Sequence, residues 1–316
     1  MKIGLFTDSL ADMAFEQALD WAAEHGIEAV EIGTGNFSPA PHCDLENLVQ
    51  SQDARRLFRS AVETRGLTVS ALNCNGNLLD PHPRRRETAQ LVFHRTLKAA
   101  SHLGIGTVVT MSGCPGDLEG GTSPNWVTCT WQREYLELLD RQWEGEIAPF
   151  WSSASQEARD LGVRIAIEAH PGQAVYNFRT LERLRQVCGD QTVGANLDPS
   201  HFFFQMIDPV AVVRALGEGA IFHVHAKDTR INGPEMALNG SLDTRPMAAP
   251  GIRSWEYVTL GFGHDAFFWR SFLASLRMSG FDGVLSIEHE DQLMSPREGI
   301  EKSVTFLTDL VPRTMA

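Results

Sequence analysis

Short apolar runs rich in β-branched residues alternate along this chain with longer stretches of helical periodicity. The runs at Lys2–Phe6, Ala29–Ile32, Thr68–Leu72, Thr107–Met111, Arg164–Ile167, Val193–Leu197, Ile221–Val224 and Gly283–Ile287 read as strands. Phe15, Ala18, Leu19, Ala22 and Ala23 form the i, i+3, i+4, i+7, i+8 stripe of an amphipathic helix. Similar stretches cover about 52–65, 86–103, 134–161, 179–188, 209–216, 265–279 and 296–311. One punctuation recurs between helix and strand: Gly26-Ile27, Gly66-Leu67, Gly104-Ile105, Gly162-Val163 and Gly280-Phe281. In each, glycine suits the left-handed position just past a helix end, and an apolar residue enters the next strand.

Eight strands each followed by a helix build a parallel sheet, and eight such units close into a (β/α)₈ TIM barrel. A doubly wound open sheet is the rival. It usually announces a nucleotide with a Gly-rich turn after its first strand, whereas here that strand runs into Thr7-Asp8-Ser9-Leu10. The expectation is a single α/β barrel domain over residues 1–316, with long insertions at 112–133 after the fourth strand and 228–264 after the seventh.

Composition narrows the functions available. The chain of 316 residues carries 27 Lys and Arg against 40 Asp and Glu, a formal net charge of −13. Nucleic-acid affinity rests mainly on basic side chains neutralising phosphates, so this chain is a poor general binder of DNA or RNA. Its tight basic run, Arg84-Arg85-Arg86, sits at a helix start and reads as a solvated face. Five cysteines form no CxxC pair, which fits a reduced compartment better than a disulfide framework. The N-terminal apolar run meets Asp8 too early for a signal-peptide core, and no stretch approaches the ~18 apolar residues of a membrane span. A soluble, cytoplasmic protein with no membrane or nucleic-acid partner is expected.

In such barrels, active sites gather at the C-terminal strand ends. The fifth strand ends in Ile167-Glu168-Ala169-His170, the sixth in Leu197-Asp198-Pro199-Ser200-His201, the seventh in His223-Val224-His225-Ala226-Lys227-Asp228 and the eighth in Ile287-Glu288-His289-Glu290-Asp291. An acidic residue at a strand end can simply cap the following helix, and Asp198-Pro199 suits an N-cap with proline in the first turn. Agreement among four consecutive strands argues for more. Glu168, Asp198, His225 and Glu288 buried together need a counter-charge, and their mixed oxygen and nitrogen donors suit Mn²⁺, Mg²⁺ or Co²⁺ rather than a thiolate zinc site. His223 and His225 lie two apart and share a strand face, with His225 nearer the mouth. Lys227 and Asp228 are candidates for positioning a polar substrate, and Arg230 or Arg253 for reaching an anionic group. His170 and His201 are candidates for contacting a hydroxyl or moving a proton. Glu31 ends the second strand as a hydrogen-bond anchor or a buried structural pair. Asn75, within Asn73–Asn77, offers an amide able to donate to and accept from sugar hydroxyls. Trp126 and Trp131 suit stacking on a substrate ring or burial against a partner.

The motifs EAHP, NLDPSH, HVHAKD, SIEHED and the GFGHD turn at 261–265 resemble the sugar phosphate isomerase/epimerase family, which shares its barrel with xylose isomerase and the AP endonucleases. The resemblance spans nearly the whole chain and is specific from the fifth strand onward. It implies one divalent metal, manganese first, on Glu168, Asp198, His225 and Glu288. It makes Glu168 and Glu288 the acid/base pair, and His201 and an arginine after the strand-seven ligand, assigned to Arg230, substrate contacts. The extra histidines of a three-metal AP endonuclease have no clear equivalents here. The reaction implied is isomerisation or epimerisation of a keto sugar through an enediolate. The alternative is metal-assisted β-elimination of a 3-oxo-glycoside by the catalytic subunit of a C-glycoside deglycosidase. A non-catalytic sugar-binding protein is the remote third. The chain is expected to be a homo-oligomer, or to pair with a small β-rich subunit in the lyase case.

Overall fold

The computed structural model describes residues 1–117, 120–189 and 191–312. In chain order its strands are β1 (Lys2–Phe6), β2 (Ala29–Gly33), β3 (Thr68–Asn73), β4 (Thr107–Met111), β5 (Arg164–Glu168), β6 (Val193–Leu197), β7 (Ile221–Ala226), β8 (Asp228–Ile231), β9 (Trp255–Val258) and β10 (Val284–Ile287). Its α-helices are α1 (Phe15–Glu24), α2 (Leu45–Gln50), α3 (Gln52–Glu63), α4 (Pro83–Leu103), α5 (Arg133–Gln142), α6 (Ala148–Asp160), α7 (Phe178–Cys188), α8 (Pro199–Phe203), α9 (Pro209–Leu216), α10 (Gly233–Asn239), α11 (Ala266–Met278) and α12 (Pro296–Leu310).

Among the described residues eight parallel strands close into a barrel in the order β1-β10-β7-β6-β5-β4-β3-β2. This is the (β/α)₈ TIM barrel that the alternating pattern predicts. All five glycines of the repeated turn adopt positive φ, from +67° to +81°, where an L side chain would be strained. The predicted helix at 134–161 is one helical run interrupted by a π turn at Trp143–Ile147, between α5 and α6. The basic run at the start of α4 is not wholly a solvated face. Arg86 bonds the carbonyls of Leu79 and Asp80 and the carboxylate of Glu146, and so fixes the loop that follows β3 to that π turn.

Two register shifts position polar groups inside the barrel. Val30 pairs with Val69 but Glu31 with Ala71, so Ser70 is skipped. Ala195 pairs with Ile221 but Asn196 with His223, so Phe222 is skipped. Such bulges re-aim side chains. Here they bring the Ser70 hydroxyl within 3.3 Å of His223 Nε2 and let Phe222 pack with Ala71, Val109 and Ala166.

The insertion after β7 has structure of its own. β8 and β9 form an antiparallel pair, with Asp228 opposite Val258 and Thr229 opposite Tyr257. The GFGHD turn then wraps the buried carboxylate of Asp228. Oδ2 accepts from the backbone nitrogens of Gly261, Gly263 and His264 at 3.1, 3.2 and 2.9 Å, and Oδ1 accepts from Thr229 at 2.8 Å. Gly263 permits this approach, since a Cβ there would stand 2.3 Å from the Thr229 carbonyl oxygen.

Candidate metal centre

Glu168, Asp198, His225 and Glu288 converge at the C-terminal end of the barrel. One ligand atom from each lies within 4.8 Å of all the others. His225 Nδ1 stands 3.2 Å from Glu288 Oε2, 3.4 Å from Glu168 Oε2 and 3.9 Å from Asp198 Oδ2. The residues fit a divalent cation on an observation independent of their type. Asp198 Oδ2 is buried without a hydrogen-bond partner, its neighbours His201 Nε2 and Lys227 Nζ lying at 3.2 and 3.9 Å. The capping role that the sequence allows for Asp198 is also present, because Oδ1 accepts from Ser200 N at 2.8 Å. One oxygen caps α8 and the other faces the ligand cluster.

A second layer fixes the first. Glu31, fully buried, receives His225 Nε2 at 3.1 Å on both oxygens, Ser286 Oγ at 2.7 Å and Asn73 Nδ2 at 2.7 Å. A carboxylate on the far nitrogen of a ligating histidine sets its ring orientation and tautomer. Glu168 is held by Asn75 Nδ2 at 2.8 Å, Asn196 Nδ2 at 3.0 Å and His201 Nε2 at 2.8 Å. His201 Nδ1 in turn meets the Tyr257 hydroxyl at 3.0 Å. The β8–β9 pair thereby reaches into the site.

Charge in this cluster is arranged by burial and by neighbours. Burial opposes the charge on His225, but Glu31, Glu288 and Glu168 together hold the metal-free imidazole well above its usual range. Burial likewise opposes the Lys227 ammonium, which Glu288, Glu290 and Asp198 keep charged. Its Nζ lies 3.0 Å from both Glu288 and Glu290 and 4.2 Å from the Tyr257 ring centroid. Burial pushes His201 down to about 3, with His170 adding to the effect, so His201 is neutral and can donate from Nε2 to Glu168 while accepting from Tyr257. Asp198 rises to about 7, chiefly through burial, with the Glu168 and Glu288 charges adding to it. Burial also pushes Asp8 up to about 6, against a hydrogen bond from Ser38.

A cavity of about 560 Å³ opens over this cluster. Of the sequence candidates, Glu168, Glu288, His170, His201, Lys227 and Asn75 line it. His170 packs edge-on against His201 with centroids 4.2 Å apart. Five other candidates are not brought there. Asp228 is consumed by the GFGHD turn. Arg230 pairs with Glu256 across the β8–β9 pair. Trp126 lines a separate cavity of about 220 Å³ with Trp143, Tyr176, Arg179 and Arg183. Arg253 is buried against Trp255, and Trp131 is 84% exposed. Residues 171–176 form the partition between the two cavities. Pro171 and Gln173 line the first, Ala174 and Tyr176 the second. The partition is pinned by Ala174 N to the Gly113 carbonyl at 2.9 Å and Val175 N to Ser112 Oγ at 2.8 Å.

Cavity residues that the strand-end pattern does not single out are Asp8, Ser9, Phe37, Ser38, Gln173 and Glu290. Phe37 is 64% exposed at the rim. Asp8 follows β1, and the strand-end rule that finds Glu168 would have found it too. Among the described residues no helix is long and apolar enough to cross a membrane.

Comparison with known proteins agrees with this architecture. The chain is 41% identical to the Bacillus subtilis protein YfiH over 98% of its own length and 99% of that protein's. It is 23% identical to an inosose dehydratase of Lacticaseibacillus casei over 88% of its length and 83% of the relative's. The crystal structure of IolI with a bound zinc atom superposes with a TM-score of 0.67 at 19% identity, covering both chains completely. A family model described as xylose isomerase-like TIM barrel matches residues 19–310, and the chain belongs to that family.

Proposed function

We propose that this protein is a metal-dependent enzyme that removes the proton α to the carbonyl of a keto sugar or related polyol, acting as an isomerase or epimerase. The observation that carries the reading is the convergence of Glu168, Asp198, His225 and Glu288 on one point, with Glu168 and Glu288 also open to the cavity. Three carboxylates and an imidazole suit Mn²⁺ first, then Mg²⁺ or Co²⁺. When bound, such an ion supplies Lewis acidity to the carbonyl and hydroxyl oxygens of the substrate.

The protein's own groups do the rest. Either carboxylate is placed to take the α-proton, leaving an enediolate. Return of the proton to the opposite face gives an epimer, and return to the neighbouring carbon gives an isomer. Lys227 keeps Glu288 ionised, and the three donors on Glu168 hold its orientation. His201, neutral and fixed by Tyr257, lines the cavity and steadies Glu168 from Nε2.

Elimination is the second reading, and the resemblance to inosose dehydratase supports it. From the same enediolate, departure of a β-hydroxyl with a proton from His170 or Lys227 releases water and leaves an unsaturated ketone. Loss of an aglycone from a 3-oxo-glycoside follows the same course.

Proton exchange in D₂O with Mn²⁺ present, followed by NMR, tests the proposal. Deuterium at the α-carbon of a ketose together with a new epimer or aldose supports the isomerase reading. Deuterium with water or aglycone release from an inosose or a 3-oxo-glycoside supports elimination. Full exchange in a chelated, metal-free sample, or none with any ketone, counts against both.

A further inference from the structure

The cavity of about 220 Å³ beyond the 171–176 partition is walled by rings. Trp126 and Tyr176 meet edge to face with centroids 5.2 Å apart, and the buried Trp143 lines the same space. Trp143 opens the π turn between α5 and α6, and such turns are frequent at functional sites. The loop that carries Trp126 is fixed from below. The buried Gln142 donates from Nε2 to the Gly116 and Asn125 carbonyls at 2.9 Å each, and Asn125 N donates to the Pro115 carbonyl at 2.9 Å. An apolar cavity of about 150 Å³ admits benzene, so this one has room for a single aromatic ring with a short substituent.

Charge decides what the substituent is. The chain carries a net charge of −13, yet two arginines and no Asp or Glu are among the residues lining this cavity. The Arg183 guanidinium lies over the Trp143 ring, 4.3 Å from its centroid, and among the described residues no carboxylate pairs with it. Stacking on an indole face leaves the N–H edge of a guanidinium open, and that edge matches a carboxylate through two parallel hydrogen bonds. Arg179 gives Nη1 to Glu182 at 3.0 Å and adds a second positive charge.

We propose that this cavity binds a small aromatic carboxylate, its ring among Trp126, Trp143 and Tyr176 and its carboxylate on Arg183. The partition separates the site from the candidate metal centre, so the occupant is a molecule distinct from the substrate of the reaction proposed above.

Isothermal titration of the full chain, with Mn²⁺ and without, tests it. The probes are benzoate and 4-hydroxybenzoate, with benzamide lacking the charge and cyclohexanecarboxylate lacking the aromatic ring. At least one aromatic carboxylate should bind with a Kd below about 1 mM, within reach of a ligand of this size. Both control probes should bind at least about fivefold more weakly. Arg183→Gln should weaken the aromatic carboxylate at least about fivefold and erase its advantage over benzamide. Trp126→Leu should erase its advantage over cyclohexanecarboxylate. Melting curves establish that each variant is folded.

Failure of both aromatic carboxylates to bind at millimolar concentration overturns the proposal. So does binding no tighter than that of the two controls, or an unchanged affinity in a folded Arg183→Gln. Affinity should be the same with and without Mn²⁺; binding seen only with Mn²⁺ puts the molecule over the metal and equally overturns the site. Absence of proton exchange on every ketone would sink the proposed reaction and leave this site standing, because its occupancy is read without substrate.

Discussion

Glu31 grips His225 from behind: both its carboxylate oxygens lie 3.1 Å from Nε2, while Nδ1 of the same ring faces Glu168, Asp198 and Glu288. Orientation of the ligand nitrogen therefore depends on a residue from the opposite side of the barrel. Glu31→Gln should weaken Mn²⁺ binding about 10–100-fold, the usual effect of losing such a partner. Metal titration by calorimetry measures it. Affinity equal to the parent would show that the ring is held without Glu31.

Metal affinity should also fall as the solution is made more acidic. His225 has a raised pKa in the metal-free protein, and a metal at Nδ1 must displace that proton. Below the raised value each bound ion releases one proton from the ring, so affinity should rise by about tenfold per pH unit. Proton release measured in two buffers of different ionisation enthalpy gives the number directly. A pH-independent affinity would place the proton elsewhere.

Glu288→Gln keeps the size of the side chain but removes a charge that pairs with Lys227 and His225. Turnover should drop by about 10²–10⁴-fold, the typical contribution of an acid/base group, with the fold retained. Rate and melting temperature taken on one preparation distinguish the two. Near-parent turnover would remove Glu288 from the chemistry.

Asp228→Asn probes a different kind of importance. Its carboxylate anchors the 261–264 backbone, and an amide would turn a donor toward those N–H groups. The expected cost is about 1–3 kcal/mol of stability, read as a lowered denaturation midpoint with activity per folded molecule retained. Loss of activity without loss of stability would return Asp228 to the substrate contacts.

These four residues show where sequence is sufficient and where it is not. The candidate metal cluster is legible because the rule that barrel sites form at strand ends needs only the end of each apolar run. The same rule covers Asp8, but Thr7-Asp8-Ser9-Leu10 carries no neighbouring histidine or motif to raise it above a turn. Asp228 and Arg230 illustrate the opposite difficulty. Both follow His225 closely, yet the chain turns into β8 immediately after Lys227. Their partners, the 261–264 turn and Glu256, lie more than 25 residues further on. Tyr257 enters the site only because β9 pairs with β8, a non-local pairing that periodicity does not encode. Trp126 is drawn to Tyr176 on the far side of the partition from the cluster, with ring centroids 5.2 Å apart.

That partition has a practical meaning for altering the range of molecules the protein accepts. Residues 171–176 stand as a single strand of backbone between cavities of about 560 and 220 Å³. Their two anchors, Ser112 and Gly113, belong to the segment after β4 rather than to the ligand cluster. Smaller side chains at Gln173 and Tyr176 would open a passage from a chamber lined by acceptors into one lined by indole rings and two guanidinium groups. A molecule with a hydrophilic head and an aromatic tail would then have a compartment for each end, and the cluster beneath the head would be untouched by the redesign.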